Sequence, residues 1–260
     1  MKQGRLQGQS AVVTGALGSV GREIARVFVA EGARVGLVDH LAEKLERVAN
    51  SLRAADVVVH FFAADVTRDA EVESAVADML SKLGSVNILV NNSGVTSITP
   101  FVETSEAIWE HVFAANVTSA FLMSQTVIPH MLRDGSGKII NVGGELGRRG
   151  ASWHVAESAA KSALVGLTQG LADEFGDEQI RVNAICPGVV KDQGWVRHAA
   201  AYAQKYNVSP EEVESLLLRQ IPLGRLATPE DVARCALFLA SEDAAYITGQ
   251  AIILSGGKTM

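Results

Sequence analysis

The chain has 260 residues, 48% hydrophobic and 20% charged, enough for one globular domain with a substantial core. Its net charge of −6 argues against nucleic acid, which needs a basic face. No signal peptide is readable at the start, and no uninterrupted apolar run is long enough to cross a bilayer. Cys186 and Cys235 lack metal-ligand or redox-pair spacing, so free thiols in a cytoplasmic protein with no metal and no membrane are expected.

Short strands then alternate with amphipathic helices, the pattern of βαβ units and a parallel sheet. Residues 11–14 read as the first strand. A helix follows with Ile24, Val27 and Phe28 on one face and Gly32 as its stop. Residues 34–38 form a second strand, and Leu41, Leu45, Val48 and Leu52 mark the next helix. Residues 57–62 are too apolar to alternate, as in a strand buried on both faces. Val72, Val76, Met79 and Leu83 give a helix ended by Gly84, and residues 86–90 a fourth strand.

The second half has longer helices. Residues 105–131 predict one long helix, kinked near its end by Pro129. Residues 138–142 and 180–186 are strands around a helix over 152–175, and 250–254 is the last strand. Residues 189–222 carry two short helical patterns; a connection that long suggests a lid over a substrate. Asp192, Trp195, Arg197, His198 and Tyr202 lie on it, and Trp153, Trp195 and Tyr202 are candidates for an aromatic pocket beneath. A doubly covered parallel sheet binds its ligand at the strand carboxyl ends.

At the first such end stands Thr14-Gly15-Ala16-Leu17-Gly18-Ser19-Val20-Gly21. Its glycines allow a sharp turn and close approach of a pyrophosphate, and the helix amino terminus offers N–H groups and a positive dipole end. Asp39 closes the second strand, where a carboxylate accepts from a ribose 2′-OH and repels a 2′-phosphate. NAD is therefore the expected cofactor rather than NADP.

These residues, with Asp65-Val66, Asn91-Asn92-Ser93-Gly94, Asn116, Lys161, Asn183, Pro187-Gly188, Pro222-Leu223-Gly224-Arg225 and Ile247-Thr248-Gly249-Gln250, resemble the short-chain dehydrogenase/reductase family along essentially the whole chain. The resemblance implies a Rossmann-type three-layer α/β/α sandwich in a single domain, with a seven-stranded parallel sheet. It also implies a nicotinamide cofactor, a small-molecule substrate and a homotetramer. Gly15, Leu17, Ser19, Val20 and Gly21 would hold the pyrophosphate, Asp65 and Val66 the adenine, and Asn92, Ser93 and Gly94 the adenine ribose. Lys161 would take the nicotinamide ribose, with Pro187, Gly188 and Val190 near the carboxamide. Ser19 replaces a usual glycine, and Asp192 a usual Thr.

The family's acid–base Tyr precedes its Lys by four residues, and an upstream Ser holds the substrate carbonyl. Asn116 and Lys161 match, but the Tyr position is Glu157 and the Ser position Gly144. Tyr and Glu differ by roughly 8 kcal/mol in proton affinity, so Glu157 reads as an ionised acceptor. His154, seven residues before Lys161, and Glu145, next to Gly144, are the nearby substitutes. Glu157 and Lys161 also have the i,i+4 spacing of a plain helical ion pair. Three functions follow: an NAD-dependent oxidoreductase with His154 or Glu157 as acid–base group, a lyase, dehydratase or isomerase with Glu157 or Glu145 as base, or a catalytically silent NAD-binding subunit.

Overall fold

The computed structural model describes residues 4–53, 57–192 and 194–260, with the side chains at 196 and 197 outside the description. The side chain of Arg197 on the expected lid therefore lies outside the described residues. The strands are β1 (Ser10–Thr14), β2 (Arg34–Asp39), β3 (Val59–Ala63), β4 (Ile88–Asn91), β5 (Gly137–Val142), β6 (Ile180–Pro187) and β7 (Ala251–Leu254). They form one parallel seven-stranded sheet in the order β3-β2-β1-β4-β5-β6-β7.

Alternate residues of each strand feed two apolar layers. Ala11 and Val13 pack with α1 (Ser19–Ala30), α2 (Ala42–Leu52) and α9 (Pro229–Ala240), through Ile24, Phe28, Leu45 and Val232. Val12 points the other way, among Met79 of α3 (Asp69–Leu83), Met123 of α5 (Ser119–Asp134) and Ala172 of α6 (Val155–Phe175). Full burial of a side chain such as Phe28 contributes on the order of 2 kcal/mol. This is the three-layer Rossmann-type fold that the family resemblance implied.

The long helix expected over 105–131 is in fact two, α4 (Glu106–Phe113) and α5, joined by a π-helical turn at Ala114–Thr118. Asn116 makes the turn: its Nδ2 donates to the Val112 carbonyl at 2.8 Å and the Val95 carbonyl at 3.0 Å. Pro129, expected to kink the helix near its end, lies inside α5, which runs on to Asp134 and stops at the left-handed Gly135. The stretch Glu106–Asp134 is the most apolar long helical run among the described residues, although polar residues interrupt it. Its 29 residues are long and apolar enough to span a bilayer by length and composition, and 56% of its most apolar window is buried in the fold.

Beyond β6 come α7 (Trp195–Tyr206) and α8 (Pro210–Leu218), within the segment expected as a lid. Ala203, Val213, Leu217 and Trp195 give them an apolar cluster of their own.

Candidate active site

The sheet order reverses between β1 and β4, the switch point where open α/β sheets form a ligand crevice. A cleft of about 1500 Å³ runs there along the strand carboxyl ends. Thr14 Oγ1 ties the two strands at its floor by accepting from Asn92 N at 3.0 Å and Ser93 N at 3.1 Å. The Asn92 side chain donates to the Thr14 and Gly15 carbonyls, both at 3.1 Å.

One end is built for close backbone approach. Gly15 has φ +62°, and a Cβ on Gly21 would lie 2.4 Å from the Gly15 carbonyl oxygen. α1 has no side-chain cap, which leaves its first N–H groups available beside Leu17, Ser19 and Val20 on the cleft wall. Gly21 itself does not reach the cleft; it sets the packing of α1 on the loop. Asp39 accepts from Leu17 N at 3.0 Å and His40 N at 2.9 Å, so one carboxylate both anchors the loop and faces the cleft. Asp65 lines the same end with Val66, and the Thr67 hydroxyl at 2.6 Å holds its carboxyl below the ordinary Asp range. These residues fit a dinucleotide: no Cβ obstructs the turn, and donors and a carboxylate stand where a pyrophosphate and a ribose need them.

At the other end Lys161 is buried, and desolvation lowers its pKa against the opposing pull of the Glu157 charge. A Cβ on Gly94 would sit 2.6 Å from Asn116 Oδ1 and 3.3 Å from Lys161 Nζ. Asn116 lies behind the cleft surface with that Oδ1 unpartnered. Pro187 at the end of β6, and Gly188 and Val190 just beyond it, line the wall. Asp192 is a turn residue whose Oδ1 accepts from Gly194 N at 2.8 Å.

Glu157 is not paired with Lys161 among the described residues, which overturns the simple i,i+4 ion pair. Its Oε2 lies 3.2 Å from His154 Nδ1 and accepts from Ser97 N at 3.2 Å. His154 and Glu157 are 3% and 7% exposed, and both line the cleft beside Lys161. Trp153, in the left-handed region at φ 64°, turns the chain into α6, and its carbonyl is held by Thr99 N at 2.7 Å.

Glu145 is committed elsewhere: Lys258 binds its Oε1, and the Thr259 hydroxyl donates to its Oε2 at 2.9 Å. Gly144 is extended, and a Cβ built there meets nothing nearer than 3.9 Å. Tyr202 and His198 reach the cleft from α7, but Trp153 and Trp195 do not line it; Trp195 packs between α7 and α8. Sequence reasoning missed Tyr206, Ser97, Lys205 and Lys258. Only Tyr206 left a local trace, one turn beyond Tyr202. Among the described residues no three His, Cys, Asp or Glu side chains cluster as metal ligands.

A family model described as Enoyl-(Acyl carrier protein) reductase matches residues 15–259. The chain is 36% identical over 255 residues to a 2-(S)-hydroxypropyl-CoM dehydrogenase of Xanthobacter autotrophicus, covering 98% of each. It is 35% identical over 257 residues to a sorbitol dehydrogenase of Cereibacter sphaeroides, covering 98% of this chain and 99% of that one. The crystal structure of an NAD+-bound xylitol dehydrogenase superposes with a TM-score of 0.94 at 27% identity, over 97% of this chain and 100% of the other. Motifs in order, a matched fold and relatives aligned end to end agree: the chain belongs to the short-chain dehydrogenase/reductase family, among its oxidoreductases.

Proposed function

We propose that the protein is an NAD-dependent dehydrogenase that oxidises a secondary hydroxyl of a small polar molecule and reduces the matching carbonyl in reverse. The observation that carries this reading is the buried His154–Glu157 pair, 3.2 Å apart beside Lys161 in the dinucleotide cleft. When bound, the nicotinamide supplies the hydride acceptor or donor. Gly15, Leu17, Ser19 and Val20 hold the pyrophosphate, Asp65 and Val66 the adenine, and Asn92, Ser93 and Gly94 the adenine ribose. Asp39 accepts from the ribose hydroxyls and repels a 2′-phosphate. Lys161 binds the nicotinamide ribose, with Asn116 behind it. Pro187, Gly188 and Val190 border the carboxamide.

With Glu157 accepting from Nδ1–H, the free nitrogen of His154 is Nε2, which takes the hydroxyl proton during oxidation and returns it in reduction. Glu157 fixes that tautomer and stabilises the imidazolium, as a carboxylate does behind a catalytic histidine. Gly144 and Glu157 thus mark an atypical version of the family's site rather than a dead one. Residues 189–222 act as the substrate lid of a single domain spanning 1–260, and Lys205 of α7 already links that lid to the wall through the Ser152 carbonyl at 2.7 Å.

The test combines binding and turnover. NAD at about 100 times its Kd should stabilise the fold by roughly 2.7 kcal/mol, and NADP at the same concentration far less. Relatives act on sorbitol, xylitol and hydroxypropyl compounds, so a panel of secondary alcohols and polyols with NAD is the first assay. His154→Ala should lower kcat by roughly 10²–10⁴-fold and Glu157→Gln by a smaller factor, with NADH affinity retained. Full turnover in His154→Ala would remove the dyad from the mechanism. Conversion of a substrate without any change in nicotinamide absorbance would point instead to a non-redox reaction.

A further inference from the structure

A histidine–glutamate dyad moves a proton, but it does not replace a neutral hydroxyl that holds the substrate oxygen. Gly144 follows β5, and the first turn of α6 carries Glu157, so neither position offers one toward the cleft. We propose that the hydroxyl of Tyr202, on α7, donates the hydrogen bond that positions the substrate oxygen beside His154. This rests on the dyad reading above.

Three observations place Tyr202 for that task. Its ring centroid lies 5.7 Å from that of His154, tilted by 40°, and both side chains line the same cleft as Glu157, Lys161 and Gly144. Its ring is clamped from the other sides: Tyr206 stacks on it at 6.0 Å with an interplanar angle of 8°, and Lys205 Nζ stands 5.8 Å over Tyr202 and 5.4 Å over Tyr206. The same Nζ donates to the Ser152 carbonyl, fixing α7 to the loop that leads into His154. Finally, the phenol makes no hydrogen bond to any described residue. Burial, followed by the neighbouring Glu157, Tyr206 and Glu145, pushes its pKa well above the ordinary tyrosine value. It stays protonated, and so a donor, through neutral and mildly alkaline pH, and among the described residues its proton has no partner to compete with a substrate.

Donation of this hydrogen bond breaks no covalent bond. The substrate oxygen accepts from Tyr202 while its own proton passes to His154 Nε2. Because the donor rides on α7, a complete site exists only while that helix is docked.

Tyr202→Phe removes one oxygen and keeps the ring that packs against His154 and Tyr206. The experiment measures NAD-dependent oxidation of the alcohol and polyol panel, NADH affinity by fluorescence, and melting temperature for wild type, Tyr202→Phe and His154→Ala. Tyr202→Phe should lose roughly 10- to 100-fold in kcat/KM, at every pH from ~6 to ~9, with NADH affinity and melting temperature unchanged. Turnover within twofold of wild type in Tyr202→Phe, alongside its loss in His154→Ala, overturns the Tyr202 assignment alone. A parallel fall in NADH affinity or melting temperature makes the tyrosine a packing residue and overturns it too. A wild type that oxidises nothing in the panel overturns the dehydrogenase reading and this assignment with it.

Discussion

Gly144 has room for a side chain that it does not carry. With the nearest atom 3.9 Å from an ideal Cβ and the backbone extended, Gly144→Ser should fold with stability within about 0.5 kcal/mol of wild type. It should also place a second hydroxyl in the cleft and raise the rate of ketone reduction. A thermal melt and an NADH assay check the two parts, and an unchanged rate would show that position 144 no longer touches substrate. The glycines at 15 and 21 were legible in the sequence because their need is local: a left-handed φ and a carbonyl where Cβ would be. Charged side chains were less legible. The i,i+4 spacing pointed Glu157 at Lys161, but the lysine is drawn down toward Gly94 while the carboxylate turns to His154 and to Ser97, 60 residues away. Glu145 finds its partners 113 and 114 residues on, and no local pattern encodes that.

Among the elements, helix ends followed the sequence and the helix middle did not. Gly84 terminates α3 at positive φ, as its stop signal predicts, and Gly135, where no stop was expected, does the same for α5. The break at Asn116 was unreadable because it depends on the Val95 carbonyl arriving from the loop after β4; a side chain inserted into the helical ladder opens a π turn. The start of α9 is a capping box, Thr228 with Asp231, reinforced by Arg225 at 2.6 and 2.8 Å. Arg225 holds the Asp231 carboxyl far below its usual range. A depressed carboxylate contributes stability above its unfolded pKa near 3.9 and loses it as pH falls below that value. Arg225 is 56% exposed, so solvent screens the pair, and with the cap it is worth about 1 kcal/mol. Asp231→Asn should therefore cost about that much at neutral pH and progressively less toward ~pH 2, as followed by melts across pH; equal losses at both ends would refute the linkage.

At the level of the whole molecule, the parallel sheet and its two helical layers were open to the reader of the sequence, because a sheet buried on both faces leaves continuous apolar strands and alternating helices, whereas the order of the strands leaves no such local trace. An assembly interface would have to come from what remains exposed. Trp109, Phe121 and Val155, each 38–43% accessible, lie on α4, α5 and α6, and Phe101 and Val102 extend outward at 66% and 92%. Together with the small residues Ala159, Ala163 and Gly166 on α6, they predict a tetramer with two-fold axes, and a monomeric mass by light scattering at micromolar concentration would refute it. The strand order has a further consequence for biosynthesis. β1 gains β2 about twenty residues after it is made, but its other edge waits roughly 80 residues for Leu89 and Val90. At a ribosomal rate of about 5–20 residues per second, β1 stands half paired for roughly 3–10 seconds. Nascent chains stalled before residue 88 should thus present Val12 and Val13 on an open apolar edge, the natural target of a chaperone at the tunnel exit.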